Sequence, residues 1–108
     1  MDTDSGIPVG KGTISISGDV RKFIRGKMYI LFVRHSRPGP CNDEMCRQID
    51  EVHISASDTV PDDFRIVAAG GFYLGFHPDV FTGIDRNREK IVLKFSFSGK
   101  ANLKGFYF

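Results

Sequence analysis

The sequence predicts an all-β fold, a single-domain two-sheet antiparallel β-sandwich of about seven strands, on three observations. Seven short runs of alternating apolar and polar residues recur along the chain, each closed by turn-forming residues. Ten Phe and three Tyr supply the aromatic side chains that suit a pleated, half-buried surface. A length of 108 residues, 41% of them hydrophobic, fills one core and not two. Residues 1–10 are polar and carry Gly and Pro, so a flexible N-terminal segment is expected before a sandwich domain over residues 11–108.

The strands follow in order. In KGTISIS, Ile14 and Ile16 share a face and Gly18-Asp19 ends the run. KMYILFVRHS is apolar on both faces, with Met28, Ile30 and Phe32 against Tyr29, Leu31 and Val33, which places it inside a sheet. RQIDEVHISA turns Val52 and Ile54 inward and Glu51, His53 and Ser55 outward. DFRIVA groups Phe64, Ile66 and Ala68, and GFYLGFH groups Phe72, Leu74 and Phe76. KIVLKFSFS sets Ile91, Leu93, Phe95 and Phe97 against Val92, Lys94 and Ser96. NLKGFYF ends the chain as a final strand, with Phe106 and Phe108 on one face.

Helix is the minority reading, confined to a turn or two over residues 42–52 on the spacing of Met45, Ile49 and Val52. A small barrel is the alternative architecture. Without a Trp between paired cysteines, an antibody-type immunoglobulin domain is not indicated. The Gly70-Gly71 pair marks a tight hairpin, since glycine accepts the positive φ that such turns demand.

The early strand residues Gly12, Ile14, Ile16, Gly18 and Val20, with the later hairpin of Phe64, Ile66, Gly70 or Gly71, Tyr73 and Leu74, resemble a known pattern. It is that of the carboxypeptidase-regulatory-like and prealbumin-like β-sandwich modules. The resemblance implies a secreted or periplasmic accessory domain that binds or supports, with no catalytic residues and no cofactor. It also favours a Cys41–Cys46 disulfide.

Read from the residues alone, Cys41 and Cys46 in a Pro- and Asp-rich loop suit either a small disulfide ring or two reduced thiols. His35, His53 and His77 stand in no metal-ligand spacing and read as surface histidines. A soft-metal or redox site built from Cys41, Cys46 and a histidine is the alternative to a binding domain. In HPDVFTGIDRNREK, Asp85, Asn87 and Glu89 alternate as calcium ligands can, but Arg86 and Arg88 interrupt them. That stretch reads instead as a polar end loop. Its His77, Asp79, Val80, Phe81, Ile84, Arg86 and Arg88 are the expected binding residues, capping one end of the sandwich or meeting a protein partner.

The net charge of +2 is too mild to indicate nucleic acid, although acidic residues gather between Cys41 and Asp63 and basic ones toward the C-terminus. No apolar run is long enough to span a membrane. The opening residues lack the charged and apolar parts of a secretory signal, and would equally begin a mature secreted chain with an added Met. The expectation is a non-enzymatic domain that meets a protein through its end loops or a sheet edge.

Overall fold

The computed structural model describes residues 6–42, 45–86, 90–96 and 98–106, excepting the side chains of residues 40–42 and 45–47. It is a two-sheet β-sandwich with eight strands among the described residues. These are β1 (Ile7–Val9), β2 (Gly12–Ser17), β3 (Tyr29–Asn42), β4 (Met45–Ser57), β5 (Arg65–Ala68), β6 (Tyr73–Phe76), β7 (Ile91–Phe95) and β8 (Ala101–Lys104). Two helices join them, α1 (Val20–Ile24) and α2 (Pro78–Arg86). One sheet has the order β1-β2-β7-β8 and the other β4-β3-β6-β5.

Four of the expected features differ. The sheets are mixed, because β2 pairs parallel with β7 and β3 parallel with β6. Parallel neighbours need crossovers, and α1 and α2 supply them by carrying the chain from one sheet to the other. Ile7–Val9, expected to be flexible, adds an edge strand whose Val9 is fully buried. Residues 45–57 are strand throughout, so the short helix considered there gives way to the ladder with β3. Residues 78–86, read as loop, are helix because Val80 and Ile84, four residues apart, both point into the core.

The chain is also internally repeated. Residues 7–57 and 65–104 each run strand–strand–helix–strand–strand, and exchanging the two halves maps one sheet's order onto the other. Registers repeat as well: Ile14 beside Ile91 corresponds to Leu74 beside Ile30, and Ile16 beside Leu93 to Phe76 beside Phe32. These side chains meet at the centre, where the Phe32 and Phe76 rings stack at 4.6 Å.

The expected hairpin at Gly70-Gly71 is present. Both glycines have positive φ, and the Ala69 amide donates to the Phe72 carbonyl across the turn. Since β4 and β5 lie at opposite edges of one sheet, residues 58–64 must cross its outer face between them. Val60 and Leu31 lie over Gly75, where an added Cβ would come within 3.1 Å of both. The crossing segment thus takes the place of a third layer over that sheet.

At the C-terminus, β8 pairs antiparallel with β7 after a turn at Ser96–Lys100. Phe106 packs on the core with its ring against Gly83 of α2. Phe97, Tyr107 and Phe108 lie outside the described residues.

Candidate functional site

Strands β3 and β4 outgrow the sandwich. A strand of 14 residues spans about 45 Å, while the molecule measures 53 Å along its longest axis and about 30 Å along the others. Their far halves therefore form an arm beyond the core. The change is written in the inward-facing positions of β3, which read Ile30 and Phe32 in the core and then Arg34 and Ser36, both exposed.

Arg34 ties the root of the arm to the rest of the fold. Its guanidinium donates to Asp50 of β4 at 2.8 Å and to Asp79 of α2 at 2.9 Å. Ser36 Oγ donates to the other Asp50 oxygen. Hydrogen bonds from Arg34 and then Ser36 hold the Asp50 carboxyl below its ordinary range, and Asp50 and then Asp79 raise the guanidinium of Arg34. All of these groups are solvent-accessible, so the cluster orients the arm more than it stabilises the fold. Farther out, Arg37 meets Glu51 at 3.3 Å.

The two edges of the arm differ. The Met28 and Phe32 carbonyls accept from Tyr73 and His77, so even-numbered residues of β3 direct their backbone groups toward β6 and odd-numbered ones toward β4. Beyond the end of β6, the even residues Ser36 and Pro38 have no paired strand on that side among the described residues. Pro38 has no N–H to offer, which blunts this edge. On β4, the partners of the odd residues bond to β3, leaving Gln48, Asp50, Val52, Ile54 and Ala56 to direct their amides and carbonyls outward. No proline interrupts them. Beside this edge runs a groove of about 370 Å³ between β4 and β8, lined by residues including His35, Asp50, His53, Leu103 and Phe106.

Those of the expected binding residues that are described lie on or beside α2, which the Arg34–Asp79 bond ties to the root of the arm, and their roles differ. His77 caps α2: its Nδ1 accepts from the Asp79 amide at 3.1 Å, and Pro78 occupies the first helical position. The edge of its ring contacts Phe64. Val80 and Ile84 are fully buried and close the end of the core, which withdraws them from any partner surface. Phe81 packs on Phe76, with the Arg65 guanidinium 4.9 Å above its ring. Arg86 is exposed in the last turn of α2, where positive charge suits the helix dipole. Arg88, with Asn87 and Glu89 of the weighed calcium loop, lies outside the described residues.

Cys41 and Cys46 stand directly opposite each other near the tip of the arm, and their side chains lie outside the described residues. The His35 and His53 rings are 6.4 Å apart on the outer face of the hairpin. Among the described residues, no three His, Cys, Asp or Glu side chains converge as metal ligands. None of the described helices is long and apolar enough to cross a membrane.

Compared with protein-family models, curated proteins and solved structures, the chain matches none. Sequence reading passed over Arg34, Asp50 and the open edge of β4. The signal for the first two was the polar switch at Arg34 and Ser36 within an inward-facing series.

Proposed function

We propose that the protein is a non-enzymatic accessory domain that binds a protein partner by strand addition to the open edge of β4. The observation that carries this reading is the asymmetry of the arm. One edge is blunted by Pro38, while the other presents a continuous row of outward backbone donors and acceptors. Strand addition supplies affinity through main-chain hydrogen bonds, and the adjoining groove supplies side-chain selectivity. The capping role of His77 supports the non-enzymatic part, since the histidine that closes the β6 run already has structural work.

The same proposal includes an extracytoplasmic location and a Cys41–Cys46 disulfide, following the resemblance to prealbumin-like modules. The register supports the bond, because residues directly opposite in an antiparallel pair have Cα atoms about 4.5–5.5 Å apart, within disulfide range. The test of the edge is photocrosslinking, with benzoylphenylalanine placed at Gln48 and, as a control, at the exposed Asp62. Protein adducts at Gln48 and none at Asp62 are expected. Adducts at Asp62 alone overturn the reading.

A further inference from the structure

We propose that the partner at this edge is a second copy of the chain, β4 pairing antiparallel with β4 about a two-fold axis through Ile49. The inference rests on the strand-addition reading and names its occupant. A two-fold axis through a residue of β4 keeps outward-bonding residues opposite outward-bonding residues, whereas an axis between residues sets them out of step. The choice among registers then falls to charge. An axis through Arg47 opposes Arg47 to itself, and axes through Asp50 or Glu51 oppose like carboxylates. With the axis through Gln48, Arg47 faces Ile49 and Cys46 faces Asp50, so no opposite charges meet.

Through Ile49 the segment is self-complementary. Gln48 bonds to Asp50 of the second copy, Ile49 faces Ile49 in a close non-hydrogen-bonded pair, and Arg47 stands opposite Glu51 twice over. Cys46 falls opposite Val52. The pairing covers residues 46–52 and ends at Val52, where β4 begins to pack against the core. Glu51 already meets Arg37 in its own chain. Gln48 stands opposite Pro38 within the hairpin, so the edge used for pairing lies on the side of the arm away from the proline.

The experiment is sedimentation across a concentration series up to about 100 µM, a range that reaches weak and transient association. The wild-type chain, Gln48→Pro, Glu51→Arg, and the double variant Arg47→Glu/Glu51→Arg are compared, with circular dichroism to verify folding. Gln48→Pro removes an outward donor without touching the ladder to β3 and is expected to be monomeric. Glu51→Arg sets like charges opposite each other twice and should weaken the dimer at least about tenfold. The double variant exchanges the charges and should restore it, which no loss of folding can imitate. A wild-type chain that stays monomeric, or a double variant no tighter than Glu51→Arg, overturns the self-pairing. In that event, photocrosslinks from Gln48 to a different protein would keep strand addition standing, and their absence would remove both readings.

Discussion

The two halves of the chain share a plan and differ in one place. Each has a helix opening with the same pattern, Asp19-Val20 to Ile24 in the first and Asp79-Val80 to Ile84 in the second. Each follows that helix with a hairpin. In the second half this is β7–β8, strands of 5 and 4 residues that end with the core. In the first half it is β3–β4, strands of 14 and 13 residues that run past it. What the halves have in common is what the sandwich needs to close. The surplus of β3–β4 has no counterpart and, among the described residues, adds nothing to the buried core, so the strand addition proposed above would give it a use that closing the sandwich does not.

The largest test of this comparison sets the two helix anchors against each other. Ile84 is fully buried and Ile24 slightly exposed, and α2 is nearly twice as long as α1. Ile84→Ala should lie in the upper part of the range of about 2–5 kcal/mol for such truncations and Ile24→Ala in the lower part, read by urea unfolding. Equal losses would mean that the helices anchor their halves equally.

A second test uses a contact between the halves that is not repeated when the halves are exchanged. A Cβ at Gly12 would lie 2.2 Å from the Ile84 carbonyl oxygen, so β2 and the end of α2 pack backbone to backbone. Gly12→Ala must push them apart and should cost about 2 kcal/mol, the magnitude of core overpacking. By register the corresponding residue of the second half is Phe72, so no matching constraint exists there. A neutral Gly12→Ala in equilibrium unfolding would show that the helix end yields freely.

The caps are smaller in effect and differ in chemistry. Asp19 accepts from the Lys22 amide at 3.2 Å to start α1, while α2 starts on His77. His77→Ala and Asp19→Ala should each cost about 1 kcal/mol, and His77→Asn, which can still accept the amide, much less. If thermal melts place His77→Asn level with His77→Ala, the contact of the ring with Phe64 is what matters, and His77 is not acting as a cap.

These comparisons also show how far the sequence was legible. Alternation located the strands from Ile14 to Leu103 because most place large apolar residues on one face, a signal local to a few residues, but in β5 the expected face is reversed: Ile66 and Ala68 are exposed and Val67 packs on the core. The pairing was not legible in that way. Parallel neighbours are set by crossovers, and the helices that make them are 5 and 9 residues long, too short for periodicity to stand out among polar neighbours. The repeated Asp-Val-x-x-x-Ile was the available clue, joined at His77-Pro78 by a helix-start signature. The open edge of β4 depends on which side of the strand is paired, a property of the assembled sheet alone.

The root of the arm should respond to acid. The folded state holds the Asp50 carboxyl below its ordinary range, so this contribution is complete above the unfolded-state value and is lost as pH falls through the folded one. Wild type should therefore melt slightly above Asp50→Asn at neutral pH, and the two should converge as the solution is acidified below the ordinary carboxylate range. Because the cluster is exposed, the difference at neutral pH is small and should shrink further with salt. A gap between the two that widens on acidification would mean that Asp50 gains its partners as the acid and not as the carboxylate.

The smallest expected effect is the most direct test of what the arm is for. Arg37 and Ile49 are opposite residues on odd positions of the ladder, a pair that a two-residue Asn-Gly turn can close. Replacing residues 38–48 by Asn-Gly therefore brings the first half to nearly the proportions of the second while leaving Arg34, Ser36, Asp50 and Asp79 in place. None of the core residues among the described ones lies in the removed stretch, so unfolding free energy should change by less than about 0.5 kcal/mol, the scale of surface substitutions. Self-association, in contrast, should disappear, because Gln48 and the strand ahead of it are gone. A shortened chain that unfolds would make the arm part of the fold, and one that still dimerises would move the contact to another surface. A stable monomer would leave the two halves alike in plan and in proportion, and the surplus of β3–β4 assigned to the partner.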